Sequence, residues 1–75
     1  MRDQVLELLG NEFPEIDFEE SDTMVDDGIL DSLTITGIIA TLTMEYGIEI
    51  PFEEISEDNF NSIEAIANLV ERLMD

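Results

Sequence analysis

The sequence predicts an all-α fold, a small bundle of three to four helices with a long loop between the first and the second. Three observations carry that prediction. Apolar residues recur at helical spacing in three separate segments, helix punctuation stands at their ends (Pro14, Asp31, Gly47), and no stretch alternates long enough to require a sheet.

In the first segment Val5, Leu6, Leu8, Leu9 and Phe13 keep the helical period and Pro14 forbids continuation, which predicts a helix from Arg2 to Glu12 with Gly10 loosening its last turn. From Pro14 to Leu30 the pattern breaks into acids interrupted by Ile16, Phe18, Met24, Val25, Ile29 and Leu30. That reads as a long ordered loop pinned by apolar anchors, and loops of this length in compact domains tend to carry function.

Asp31 is a suitable N-cap for a second helix from Ser32 to Tyr46, in which Leu33, Ile35, Ile38, Ile39, Leu42 and Tyr46 mark an apolar face and Gly47 a C-cap. Ile48, Ile50 and Pro51 lead away from it, and Phe52, Ile55 and Phe60 sit in a short acidic segment with room for one helical turn. A final helix is expected with Asn61 as its cap, Glu64 three residues on in capping-box spacing, and a buried stripe of Ile63, Ile66, Ala67, Val70, Leu73 and Met74. With no internal repeat or low-complexity tract, residues 1–75 are expected to form a single domain.

Composition narrows the function. A chain of 75 residues buries only about 60% of its unfolded surface, which leaves little room for a catalytic cavity and makes docking to something larger the expected mode of action. The 44% hydrophobic content argues for a folded domain despite the acidity. Twenty acids against Arg2 and Arg72 give a formal charge of -18, which repels nucleic-acid phosphates and anionic headgroups. Proteins with basic or apolar docking patches are the expected partners, and a monomer the expected state. Absence of cysteine excludes disulfides and thiolate metal sites and fits a cytoplasmic location. No apolar run has the length to span a bilayer.

Chemistry centres on Gly28-Ile29-Leu30-Asp31-Ser32-Leu33, where a serine hydroxyl stands between a loop and a helix start. A phosphate ester formed there would lie beside unpaired backbone N–H groups and the positive end of the helix dipole. Hydrolysis fails on inventory, because the chain has no histidine or lysine to activate a serine. Leu30-Asp31-Ser32-Leu33 is superficially similar to the Gly-Asp-Ser-Leu hydrolases but lacks their glycine and histidine. No enzymatic activity is expected.

Asp17, Glu19, Glu20, Asp22, Asp26 and Asp27 crowd the loop, yet a twelve-residue calcium loop beginning at Asp17 would place Asp22 where glycine is required and Gly28 where glutamate is. A solvated acidic loop is the simpler reading, and no dedicated metal site is expected. Two roles remain for Ser32: it merely begins the helix, or it is a point of covalent attachment.

Asp26-Asp27-Gly28-Ile29-Leu30-Asp31-Ser32-Leu33, followed by a helix closing in Glu45-Tyr46-Gly47-Ile48-Glu49-Ile50-Pro51, resembles an acyl carrier protein over nearly the whole chain. The resemblance implies that Ser32 carries a 4'-phosphopantetheine arm through a phosphodiester, installed from coenzyme A by a phosphopantetheinyl transferase. The arm would hold acyl or aminoacyl groups as thioesters for loading and using enzymes in fatty-acid, polyketide, nonribosomal peptide or D-alanyl transfer pathways. It further implies that Asp31 belongs to the surface read by the transferase, that Leu33 is either a partner contact or a core residue, and that Ile38, Ile39, Leu42, Ile66 and Val70 could part to shelter a short acyl chain.

The chain departs from fatty-acid carriers in two respects. Between Ser32 and Tyr46 the only charge is Glu45, where those carriers bear acids along the helix, and Gly-Ile-Leu-Asp-Ser-Leu replaces their Gly-Ala-Asp-Ser-Leu. The Gly-Ile-Leu-Asp-Ser-Leu form is more similar to discrete carriers such as the D-alanyl carrier of teichoic-acid modification, or to stand-alone carriers of specialised pathways, and the nearly neutral helix implies more apolar partner docking. The competing expectation from the composition is an unmodified acidic interaction adaptor or nucleic-acid mimic.

Overall fold

A computed structural model describes residues 1–74; Asp75, the last residue of the expected domain, lies outside the described residues. The fold is all-helical: α1 (Arg2–Glu12), α2 (Ser32–Tyr46), a single 3-10 turn (Phe52–Glu54), α3 (Glu57–Phe60) and α4 (Ile63–Met74).

α1 spans the expected range, with Val5 and Leu9 fully buried. Its last turn stays closed past Gly10, because the Phe13 N–H donates to the Leu9 carbonyl at 2.8 Å before Pro14 ends the run. α4 forms the hub and packs against both α1 and α3. Contact on two sides widens its buried stripe, which takes in Leu69 beside Ile63, Ile66, Ala67 and Val70. Met74 does not belong to that stripe; in the last turn, past the packed neighbours, it is half exposed.

The N-terminus of α4 corrects the expected capping box. Ser62, not Asn61, supplies the cap, its Oγ accepting the Ala65 N–H at 3.1 Å. Glu64 turns outward to Arg2 at 2.7 Å. Asn61 is engaged elsewhere, with Oδ1 accepting the backbone N–H of Val25 at 2.9 Å and of Asp26 at 3.3 Å, and with its carbonyl accepting the Met24 N–H at 2.8 Å. The residue just before the α4 cap thus fastens the long loop to the α3–α4 junction.

The loop anchors lie where the apolar pattern put them. Phe18, Met24 and Leu30 are buried and Ile16, Val25 and Ile29 half-buried. Phe13 meets Phe18 edge-on at 6.5 Å between centroids, and its ring also lies over Gly37 of α2, so close that a Cβ at that glycine would come within 3.1 Å of it. The acidic segment after α2 forms the 3-10 turn and the one-turn α3; Phe60 is fully buried, whereas Phe52 is exposed.

Candidate functional site

The loop reaches α2 through a tight, anchored turn. The Met24 carbonyl accepts the N–H groups of Ile29 at 2.9 Å and Leu30 at 3.1 Å, which folds residues 24–30 back on themselves. Gly28 closes that turn at φ 79, a left-handed conformation that costs a residue with a Cβ about 1–2 kcal/mol. Leu30 is 2% exposed and Leu33 is 85% exposed. Within three residues the chain passes from core to solvent, and Asp31, Ser32 and Leu33 emerge together as an exposed tripeptide.

Asp31 takes the N-cap role expected of it. In extended conformation (φ -97, ψ 179), its side chain accepts the Thr34 N–H at 2.8 Å, while its carbonyl accepts the Ile35 N–H at 2.9 Å. The bond from the Thr34 amide holds its carboxyl below the usual aspartate range.

Ser32 is therefore relieved of capping. Among the described residues the polar contacts of this turn run through Asp31, the backbone, and the Thr36 hydroxyl, which donates to the Ser32 carbonyl at 2.8 Å; the Ser32 hydroxyl is exposed and takes no part. Among the described residues both arginines are engaged away from it, Arg2 with Glu19 and Glu64, and Arg72 with Glu54. An exposed, unactivated alcohol on the first turn of a helix can be esterified by an external enzyme, and the first-turn N–H groups then face the ester's negative charge.

Leu33 resolves to the surface alternative and leaves the apolar face on which helical spacing placed it: it is exposed, whereas Ile35 of the same turn packs against the core. Ile38 and Leu42 form the buried face, with Ile35, Ile39 and Tyr46 half-buried. Ile38, Leu42, Ile66 and Val70, considered above as shelter for an acyl chain, are completely buried within the core cluster.

The acidic loop is built more specifically than a solvated run. Asp27 Oδ2 accepts from the Ser21 hydroxyl at 2.7 Å and the Thr23 hydroxyl at 2.8 Å, and Asp17 Oδ1 accepts the Glu19 N–H at 3.0 Å. Among the described residues no three acids converge as metal ligands. Asn61 and Gly28 are the two positioning residues that helix-pattern reasoning does not find. Gly28 has no conformational role in the sequence reading, and the contacts of Asn61 span 35 and 36 residues.

A family model described as a phosphopantetheine attachment site matches residues 1–70. Comparison with curated proteins and with solved structures returned no match.

Proposed function

Since the chain belongs to the phosphopantetheine attachment-site family, whose domains bear 4'-phosphopantetheine covalently, we propose that Ser32 is the attachment point. The observation that carries this is the separation of duties at the α2 N-terminus: Asp31 makes the cap bond, and the adjacent hydroxyl is exposed and uncommitted. The group supplies a thiol on a flexible arm, on which acyl or aminoacyl cargo is held as a thioester and passed between separate enzymes. The protein itself contributes an anchored stem, a hydroxyl in reach of a transferase, and a docking surface; the arm raises the effective concentration of cargo at whichever enzyme is docked. It acts as a carrier and performs no catalysis.

Asp31 and Leu33 are the recognition residues beside the attachment point. With no charge on α2 before Glu45 and with Leu33 more than four-fifths exposed, enzymes that engage the attachment end of this helix do so through apolar more than basic contacts. That surface fits the discrete, D-alanyl type of carrier better than a carrier of fatty-acid synthesis. A soluble cytoplasmic monomer is consistent with the charge and the absence of cysteine.

Intact-mass measurement after incubation with coenzyme A and a broad-specificity phosphopantetheinyl transferase tests the assignment. Wild type gains one phosphopantetheinyl group and Ser32→Ala gains none. A wild type that stays unmodified while a control carrier is converted favours the acidic adaptor; a modified Ser32→Ala moves the attachment point elsewhere.

A further inference from the structure

We propose a second docking surface at the opposite end of α2 from Ser32, a groove between α1 and α2 that takes a basic amphipathic segment of a partner protein. The two helices run antiparallel: Phe13, just past α1, lies over Gly37, whereas Gln4, at its start, lies beside Tyr46. At the Phe13 end the seam is tight. Toward the other end it opens into two adjoining hollows of about 320 and about 300 Å³ that share Leu8 and Glu45.

Apolar and acidic groups share the lining, with Gln4, Asn11 and Thr41 beside them. Leu8, Tyr46 and the 86% exposed Met44 present hydrocarbon, sulfur and ring surface, and Glu7, Glu12 and Glu45 stand around them. A mobile, polarisable methionine exposed on a helix is suited to adaptable apolar contact. None of the three carboxylates is paired within the described residues, because both arginines of the molecule are engaged at other positions.

Charge selects the occupant. A second copy carries the same -18 and has no basic segment to offer, and nucleic acid or an anionic lipid surface is repelled. A helix or strand with leucine-like residues on one face and lysine or arginine at its edges matches both kinds of group: its apolar side covers Leu8 and Met44, its cations meet the three glutamates, and the stems of its long basic side chains lie over the remaining apolar surface. Glu45 lies thirteen residue steps along α2 from Ser32, about 20 Å along the axis, so an enzyme holding the groove leaves the attachment end free.

The probe is a synthetic leucine–lysine peptide of roughly four helical turns with its leucines on one face, titrated into isotopically labelled protein and followed by NMR. The Met44 methyl and the amides of Glu45 and Tyr46 move, while the Met74 methyl and the Ser32 and Leu33 amides stay in place. The triple variant Glu7→Gln, Glu12→Gln, Glu45→Gln raises Kd by about tenfold, and Glu15→Gln, Glu20→Gln, Glu49→Gln, with the same net charge, by less than about threefold. Equal weakening in the two triples, equal movement of Met44 and Met74, or no binding overturns the proposal. Ser32→Ala binds the peptide as wild type does, which keeps this result separate from the attachment test.

Discussion

At the α2 N-terminus the decisive relation is between neighbours in sequence. Asp31 and Ser32 are both good N-cap residues, and the structure gives the cap to the first. Because the Thr34 N–H stabilises the ionised Asp31 carboxylate, its pKa in the folded state is lowered. A lowered carboxyl contributes stability that is present above the ordinary aspartate pKa of about 3.9 and is lost as pH falls through the lower folded value. The Thr34 amide resonance should therefore titrate with a midpoint below about 3.9, and in Asp31→Asn that inflection should vanish. A wild-type midpoint at or above the ordinary value means that the cap bond is not made. This residue-scale arrangement was legible because capping is local. The exchange between Asn61 and Ser62 was not, since Asn61 is drawn off by backbone groups of a loop remote in sequence, and Ser62 inherits the cap.

Among the elements, α1 and α2 have the bounds their sequence predicts, α4 starts one residue later than an Asn61 cap implies, and the loop anchors Phe18, Met24 and Leu30 were visible as apolar breaks in an acidic run. What periodicity does not disclose is which elements are covered on two sides. It misses Leu69, buried on an α4 that meets both α1 and α3, and it over-reads Leu33, which the packing leaves in solvent. Gly37 is a further case. In isolation it looks like a weak helix former, costing about 1 kcal/mol against alanine, yet it admits the Phe13 ring that closes the α1–α2 seam. Gly37→Leu should destabilise the domain by on the order of 2 kcal/mol in denaturant unfolding and shift the Phe13 and Phe18 ring resonances. A Gly37→Leu variant as stable as wild type shows that the ring contact contributes nothing.

Across the whole molecule, one sign of charge dominates. Arg2 binds Glu64 of α4 at 2.7 Å and Glu19 of the loop at 3.0 Å, and Arg72, in the last turn of α4, binds Glu54 at 3.2 Å. Such exposed pairs contribute little each and weaken in salt. The remaining acids repel one another, and at the seam between loop and α3 Asp26 pushes the Glu57 carboxyl upward. Repulsion outweighs the pairs, so at neutral pH the melting temperature should rise as salt is increased toward about 0.5 M, where the screening length falls to about 4 Å. A melting temperature that falls with salt reverses that balance and makes the arginine clips the larger effect. Acidity was plain in the sequence; its division between two stitched seams and an unstitched groove needed three dimensions.

The idle hydroxyl of Ser32 has a thermodynamic corollary. A group that lends nothing to folding can be derivatised without eroding the fold, and by reciprocity the folded scaffold levies no penalty on the derivatisation. Empty, charged and discharged forms would then share one architecture, the phosphodiester at the positive end of α2 adding a little stability to the modified ones, so that a partner enzyme distinguishes them by the pendant alone.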